Sequence, residues 1–153
     1  VKATFLFIGD NVSEHPEVFN RLLSAGHQIG NHTFNHLKGW KTDDETYVSN
    51  MLKCQSLTKT HLFRPPYGRI KKSQIKRIKT LVPNIQIIMW DVLSGDFDLN
   101  LSAQKCYENV IRNTKNGSII VFHDSLKAFD RMKEALPAAL KFFISEGYEF
   151  RTL

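Results

Sequence analysis

Short apolar runs alternate along the chain with stretches whose apolar residues recur every three or four positions, a pattern that predicts strands separated by helices. Residues 3–8 are apolar and rich in aromatic and β-branched side chains, and they predict a buried strand. Val18, Phe19, Leu22 and Leu23 give a helical stripe, with Ser13 as its cap and Gly26 as its stop. Residues 27–30 predict a second, short strand. Thr42 and Glu45 read as a capping box, opening a helix that carries Val48, Met51, Leu52 and Gln55 on one face. Leu62 and Phe63 predict a brief strand ended by Pro65 and Pro66. A basic helix follows, with Ile70, Ile75 and Ile78 facing inward, and residues 85–90 then make a strongly apolar strand. Ala103, Tyr107, Val110, Ile111 and Thr114 stripe the next helix, and residues 119–122 predict a fifth buried strand. The last helix carries Phe129, Met132, Leu136, Leu140 and Phe143, with a kink or restart expected at Pro137. Gly147 ends it, and residues 148–153 are expected to close as a final strand.

Strands that alternate with helices and read as unbroken apolar runs argue for a parallel α/β sheet or barrel. No internal repeat, low-complexity tract or linker divides residues 1–153, which reads as one domain of ordinary length. Hydrophobic residues at 42% and charged residues at 24% exclude intrinsic disorder. No apolar run approaches the ~20 residues of a membrane span, and no opening stretch reads as a signal peptide. The 21 basic residues exceed the 15 acidic ones, for a net charge of +6. The densest basic block, Lys71, Lys72, Lys76, Arg77 and Lys79, falls on the outer face of a helix. It lacks the interleaved aromatic or glycine-rich readers of a nucleic-acid surface, so no nucleic-acid partner is expected, although attraction to an anionic polymer fits. Cys54 and Cys106 lack CxxC spacing and lie among apolar helical positions, which predicts two buried free thiols rather than nucleophiles.

The unusual polar residues fall just after the strands. His32 follows Ile29-Gly30, Arg64 follows Phe63, Asp91 and Asp96 follow Trp90, and His123 follows Phe122. In parallel α/β folds those strand ends converge on one face, where active sites are built from successive loops. His32 and His36 have the spacing to point the same way over one helical turn, which suits a divalent metal such as Zn²⁺; it equally fits two surface or capping histidines. Arg64-Pro65-Pro66-Tyr67-Gly68 places a permanent cation on a stiff loop, as a functional group or as a loop tie. His123, after four apolar residues, reads as a general acid if a carboxylate lies beside it and as a buried structural histidine otherwise.

Taken in order, these segments resemble the NodB-type polysaccharide deacetylases, carbohydrate esterase family 4. The resemblance rests on Lys2-Ala3-Thr4-Phe5 with Gly9, on Gly26-His27-Gln28-Ile29-Gly30-Asn31-His32-Thr33 with His36, and on Arg64-Pro65-Pro66-Tyr67-Gly68. It continues through Trp90 with Asp96, Val121-Phe122-His123-Asp124 and Gly147-Tyr148-Glu149-Phe150. It implies a distorted (β/α) barrel and metal-dependent removal of N-acetyl or O-acetyl groups from an acetylated polysaccharide or oligosaccharide. It also implies His32 and His36 as metal ligands, for Zn²⁺ first and Co²⁺ or Ni²⁺ as alternatives. The Tyr67 backbone N–H would hold the oxyanion, Arg64 would orient the carboxylate base, and Trp90 and Val121 would receive the acetyl methyl group. His123 would protonate the departing amine, with Asp96 keeping the proton on it. The cell envelope or the outside of the cell is the location the resemblance suggests.

Three features depart from the family pattern. Phe97 stands where Trp is usual, and Val121 where Leu is usual. The family's first motif, Thr-Phe-Asp-Asp, which supplies the base and the third metal ligand, is absent from the 153 residues. The expectation is therefore a barrel without its first strand and helix, inactive as it stands. The competing readings are a non-catalytic glycan-binding module on the same fold, or Asp10, Asp91 or Asp124 standing in for the missing carboxylates. Chitin oligomers, peptidoglycan and acetylated xylan fit the same machinery.

Overall fold

The computed structural model describes residues 1–153 and contains six short strands, all paired in parallel, with helices between all but the fourth and fifth. The chain divides into two compact units, residues 1–88 with 150–153, and residues 89–149.

In the first unit, β1 (Thr4–Phe7), β2 (Gln28–Asn31), β3 (Leu62–Phe63) and β4 (Gln86–Ile87) form one sheet in that order. The register pairs Phe5 with Ile29, Asn31 with Phe63, and Phe63 with Ile87. β1 is an edge strand, and all four of its residues are half-buried rather than buried. Helices α1 (Gly9–Glu14), α2 (Pro16–Ser24), α3 (Asp44–Thr58) and α4 (Lys72–Leu81) connect the strands. The core joins Tyr47, Val48 and Met51 of α3 to Phe63, Ile78 and Ile85. Lys72, Lys76, Arg77 and Lys79 of α4 face solvent, as a solvated helix face requires.

In the second unit, β5 (Val92–Leu93) pairs with β6 (Ile120–Val121). Helices α5 (Ala103–Asn113) and α6 (Leu126–Ser145) pack on each other. The buried positions include Cys106 and Val110 of α5 and the small residues Ala128, Ala135 and Ala139 of α6.

Several expectations need correction. The α3 cap is Asp43, whose side chain accepts the Thr46 N–H at 2.9 Å; Thr42 instead donates its hydroxyl to the Lys38 carbonyl. Ser13 lies inside α1, and α2 starts at His15-Pro16, where proline at the first helical position lacks only an N–H that would be orphaned anyway. Residues 85–90 do not form one strand: β4 stops at Ile87, and Trp90 lies between β4 and β5. Helix α6 runs unbroken through Pro137, which sits on its exposed side where water can replace the lost hydrogen bond. Residues 148–153 form no strand, and the Leu153 N–H donates to Thr4 Oγ1. Cys54 and Cys106 are buried free thiols, as expected; burial pushes the Cys54 thiol up to about 11, well out of nucleophile range. No helix is long and apolar enough to cross a membrane.

Candidate active site

The histidine pair lies in the first unit, but not on a helical turn. After β2 the chain runs through a loop in which Thr33 and His36 both take positive φ, 64° and 58°. Left-handed backbone at non-glycine residues costs of order 1–3 kcal/mol each and persists only where surrounding contacts impose it. Here they do. Asn50 of α3 accepts the N–H groups of Phe34 and Asn35 on one oxygen, at 2.9 and 3.1 Å. Asn31, fully buried, accepts the Thr33 N–H at 2.9 Å and donates to the Met51 carbonyl. The N–H groups of Gly9 and Asp10 bond to the carbonyls of Thr33 and Phe34. The outcome places the His32 and His36 rings 5.0 Å apart, centre to centre.

Arg64 follows β3 and ties that loop in place. Its carbonyl oxygen lies 2.7 Å from His32 Nδ1, and its N–H donates to the Asn31 carbonyl. A carbonyl only accepts, so this contact puts the His32 proton on Nδ1 and the lone pair of the neutral ring on Nε2. The Arg64 side chain is 8% exposed and donates from Nε to the Ile88 carbonyl at 3.2 Å. Burial moves its pKa down from the usual arginine value, without endangering a charge that proteins do not remove. Pro65 and Pro66 are buried, and the next residue, Tyr67, takes a positive φ of 59° and is half exposed. The Tyr67 N–H makes no hydrogen bond within the chain, while those of Gly68 and Arg69 close the turn. Its ring lies 4.7 Å from that of His36 and 5.5 Å from that of Trp40.

The second unit holds the other predicted residues. Asp96 is fully buried after β5, and both of its carboxylate oxygens engage His123. Oδ1 lies 2.7 Å from the ring Nδ1, and Oδ2 accepts the backbone N–H at 2.6 Å. Phe97 stands edge-on to the His123 ring at 5.1 Å, so the aromatic wall survives the exchange of Trp for Phe. Arg131 of α6 donates from Nε to the Asp96 carbonyl at 2.6 Å, and Asn109 of α5 holds the Ser94 carbonyl at 3.0 Å. Val121 is buried in β6 and Trp90 is half-buried.

His32 and His36 fit a divalent metal as two donors of a set. Imidazole suits such ions, and a metal-binding histidine commonly donates its other N–H to a carbonyl or carboxylate, as His32 does to Arg64. No group of three or more His, Cys, Asp or Glu residues is placed to hold a metal. Asp10, in the same unit as the two histidines, is not gathered with them into such a group. Asp91 is occupied elsewhere, accepting from the Ser118 hydroxyl and the Ile119 N–H.

Sequence reading missed Asn50, Arg131, Trp40 and Arg69. The Asn50 and Arg131 roles depend on which backbone groups the fold brings to them, and no local pattern marks that. Trp40 was visible as one of two tryptophans, but nothing in its flanks says that it meets Tyr67.

A parallel α/β chain with its histidines, buried arginine and histidine–aspartate pair just beyond short strands defines a class in which loops carry the chemistry. The polysaccharide deacetylase family matches over residues 1–82, and the chain belongs to that family. A peptidoglycan-N-acetylglucosamine deacetylase of Bacillus cereus is 32% identical over 131 residues, covering 82% of this chain and 46% of that protein. A second from the same organism is 30% identical over 158 residues, covering 99% of this chain and 73% of that protein. The chain thus spans about half the length of the first relative. The crystal structure of the Bc1960 peptidoglycan N-acetylglucosamine deacetylase superposes with a TM-score of 0.91 at 29% identity, covering all of this chain and 73% of the other.

Proposed function

We propose that the chain carries metal-holding and proton-delivering residues of a hydrolase that removes N-acetyl groups from a hexosamine polymer, with peptidoglycan N-acetylglucosamine as the substrate. The observation that carries this reading is His32, fixed at Nδ1 by the Arg64 carbonyl with His36 beside it, a donor pair built for a metal. His32 and His36 would hold a divalent ion, Zn²⁺ before Co²⁺ or Ni²⁺. When bound, such an ion supplies a Lewis acid for the acetyl carbonyl and makes water nucleophilic near neutral pH.

The remaining roles belong to the chain. The Tyr67 N–H, left without an internal acceptor by the turn, donates to the oxygen on which negative charge develops. Arg64 orients the carboxylate base. His123, its Nδ1 proton directed to Asp96, exchanges protons at Nε2 and protonates the departing amine. Trp90 and Val121 give the acetyl methyl group an apolar surface. The Thr-Phe-Asp-Asp motif, which in the family this chain resembles supplies the third metal ligand and the base, is absent from these 153 residues, so the 153 residues alone turn over at background rate.

The test is acetate release from glycan strands with Zn²⁺ supplied, for the 153-residue chain and for the whole gene product. The gene product is expected to release acetate, and His32→Ala or His123→Ala to abolish it. A gene product that binds zinc and the glycan, releases no acetate and keeps its sugar affinity in His123→Ala would instead be a non-catalytic glycan-binding module.

A further inference from the structure

The Gly39–Lys41 turn brings Trp40 against Tyr67, and both rings carry a cation. The Arg69 guanidinium carbon lies 4.7 Å from the centre of the Trp40 ring, and Lys38 Nζ lies 5.4 Å from that of Tyr67. Neither cation forms an ion pair with a carboxylate of the chain, although both residues are exposed. The support beneath is tight. Gln74 of α4, fully buried, donates to the Gly39 carbonyl at 2.9 Å and to that of Thr42. A Cβ on Gly39 would come within 3.0 Å of Gln74 Oε1 and 3.2 Å of the Arg69 carbonyl oxygen, so the turn bearing Trp40 packs directly on the segment bearing Arg69.

We propose that Trp40, Tyr67, Lys38 and Arg69 form a subsite for the sugar next to the one being deacetylated, and that the subsite recognises a carboxylate on that sugar. This rests on the deacetylase reading, because it takes the sugar at the His32–His36 pair as the reacting one. Tyr67 links the histidine pair to Trp40, its ring 4.7 Å from that of His36 and 5.5 Å from that of Trp40, so the aromatic surface extends beyond His36 to take a neighbouring sugar. Tryptophan and tyrosine offer broad apolar faces with a polar edge, which suit the C–H face and hydroxyl rim of a pyranose. A guanidinium resting on a ring is weakly hydrated and held in one orientation, and its planar fork matches a carboxylate. Lys38 adds a second positive charge in the same cluster. A neutral polymer would leave both cations without a counter-charge.

The experiment measures binding to the metal-free chain, so it does not depend on catalysis. The probes are chitotetraose, which is neutral, and a tetrasaccharide of alternating N-acetylglucosamine and N-acetylmuramic acid, which carries lactyl carboxylates. Affinity is read by calorimetry and the contact by the Trp40 indole N–H signal in ¹⁵N–¹H spectra. The acidic glycan should bind about tenfold more tightly at low salt, shift the Trp40 signal, and lose its advantage as salt rises. Arg69→Met and Lys38→Met together should remove the preference. Trp40→Ala should weaken both glycans; Trp40→Phe, which keeps a ring in the turn, should retain part of the binding and separates a lost contact from a lost fold. Equal affinity for the two glycans, an acidic preference that survives the double substitution, or a Trp40 signal unmoved by either glycan would overturn the subsite. Acetate release by the gene product is measured separately, so its absence would overturn the deacetylase reading without touching these binding results.

Discussion

Asp96 grips His123 at two points, one carboxylate oxygen on the ring Nδ1 at 2.7 Å and the other on the backbone N–H at 2.6 Å. The same side chain therefore sets where the His123 loop lies and which ring nitrogen carries the proton. Arg131 secures the arrangement from behind by holding the Asp96 carbonyl.

Asp96→Asn is isosteric, yet it can accept at only one of those points, because the other atom becomes an amide donor. If the amide oxygen keeps the backbone N–H, the NH₂ group faces Nδ1 and drives the ring proton to Nε2. Acetate release by the gene product should fall roughly a hundredfold or more. Long-range ¹⁵N–¹H spectra of the ring should show the exchanged tautomer, a signature that mere loosening of the loop would not give. A variant with the Nδ1–H tautomer and undiminished turnover would contradict this role.

Asn50 acts on the loop that carries His32 and His36 through its backbone N–H groups. Its amide oxygen accepts two consecutive N–H groups in the loop that holds Thr33 and His36 in left-handed backbone. Asn50→Ala removes both bonds, so the loop is free to relax toward commoner φ values and the rings lose their set spacing. Zinc affinity should drop about tenfold, with roughly 1–2 kcal/mol lost from folding stability. Asn50→Asp keeps the accepting oxygen and should retain most of both. Competition against a chelator and urea unfolding read the two effects separately.

Gly30 shows why the motif before His32 has glycine at its centre. A Cβ there would sit 2.4 Å from Leu6 Cδ1 on the neighbouring strand β1, and 3.3 to 3.4 Å from Leu62 Cβ and its carbonyl oxygen on β3. Leu6 can rotate away; the Leu62 backbone cannot without disturbing the ladder. Gly30→Ala should destabilise by about 1–3 kcal/mol in urea melts, the usual range for overpacking. Adding Leu6→Ala should recover part of that loss, giving a favourable coupling between the two substitutions.

The elements most legible in the sequence are those decided locally. The helical stripe of α3 and the apolar run of β1 are packing faces written at fixed periods, and each appears close to its expected place. The α3 cap was displaced by one residue because Thr42 and Asp43 are both competent caps, and the competing acceptor for Thr42, the Lys38 carbonyl, belongs to a turn that local pattern does not specify. Residues 85–90 read as one strand because apolarity does not distinguish a paired residue from an unpaired one in the connection that follows β4. The histidines were legible as a pair but not in their geometry: a helical turn was the simplest local way to bring them together, whereas Asn31 and Asn50 impose a different loop from outside it. Trp40 and Arg69 meet only because α4 anchors the turn through Gln74, a long-range relation that no spacing encodes.

Asp91 offers a pH test of a purely structural carboxylate. It accepts from the Ser118 hydroxyl at 2.8 Å and the Ile119 N–H at 2.6 Å, just ahead of β6. These bonds, the Ser118 hydroxyl first and the Ile119 N–H next, favour the ionised form and hold its pKa below the ordinary aspartate value. A group whose folded pKa is depressed binds protons more weakly in the folded chain than in the unfolded one, so it adds stability above the unfolded pKa. That contribution is whole near neutral pH and is withdrawn as pH falls below about 4 and on through the folded pKa. In Asp91→Asn the pH-dependent part is absent at every pH, while one accepting oxygen remains. The stability gap between the native chain and Asp91→Asn should therefore be widest near pH 7 and shrink steadily toward pH 3, measured by urea unfolding at each pH. A gap that stays constant across that window would mean that the two bonds position the loop without favouring the charge.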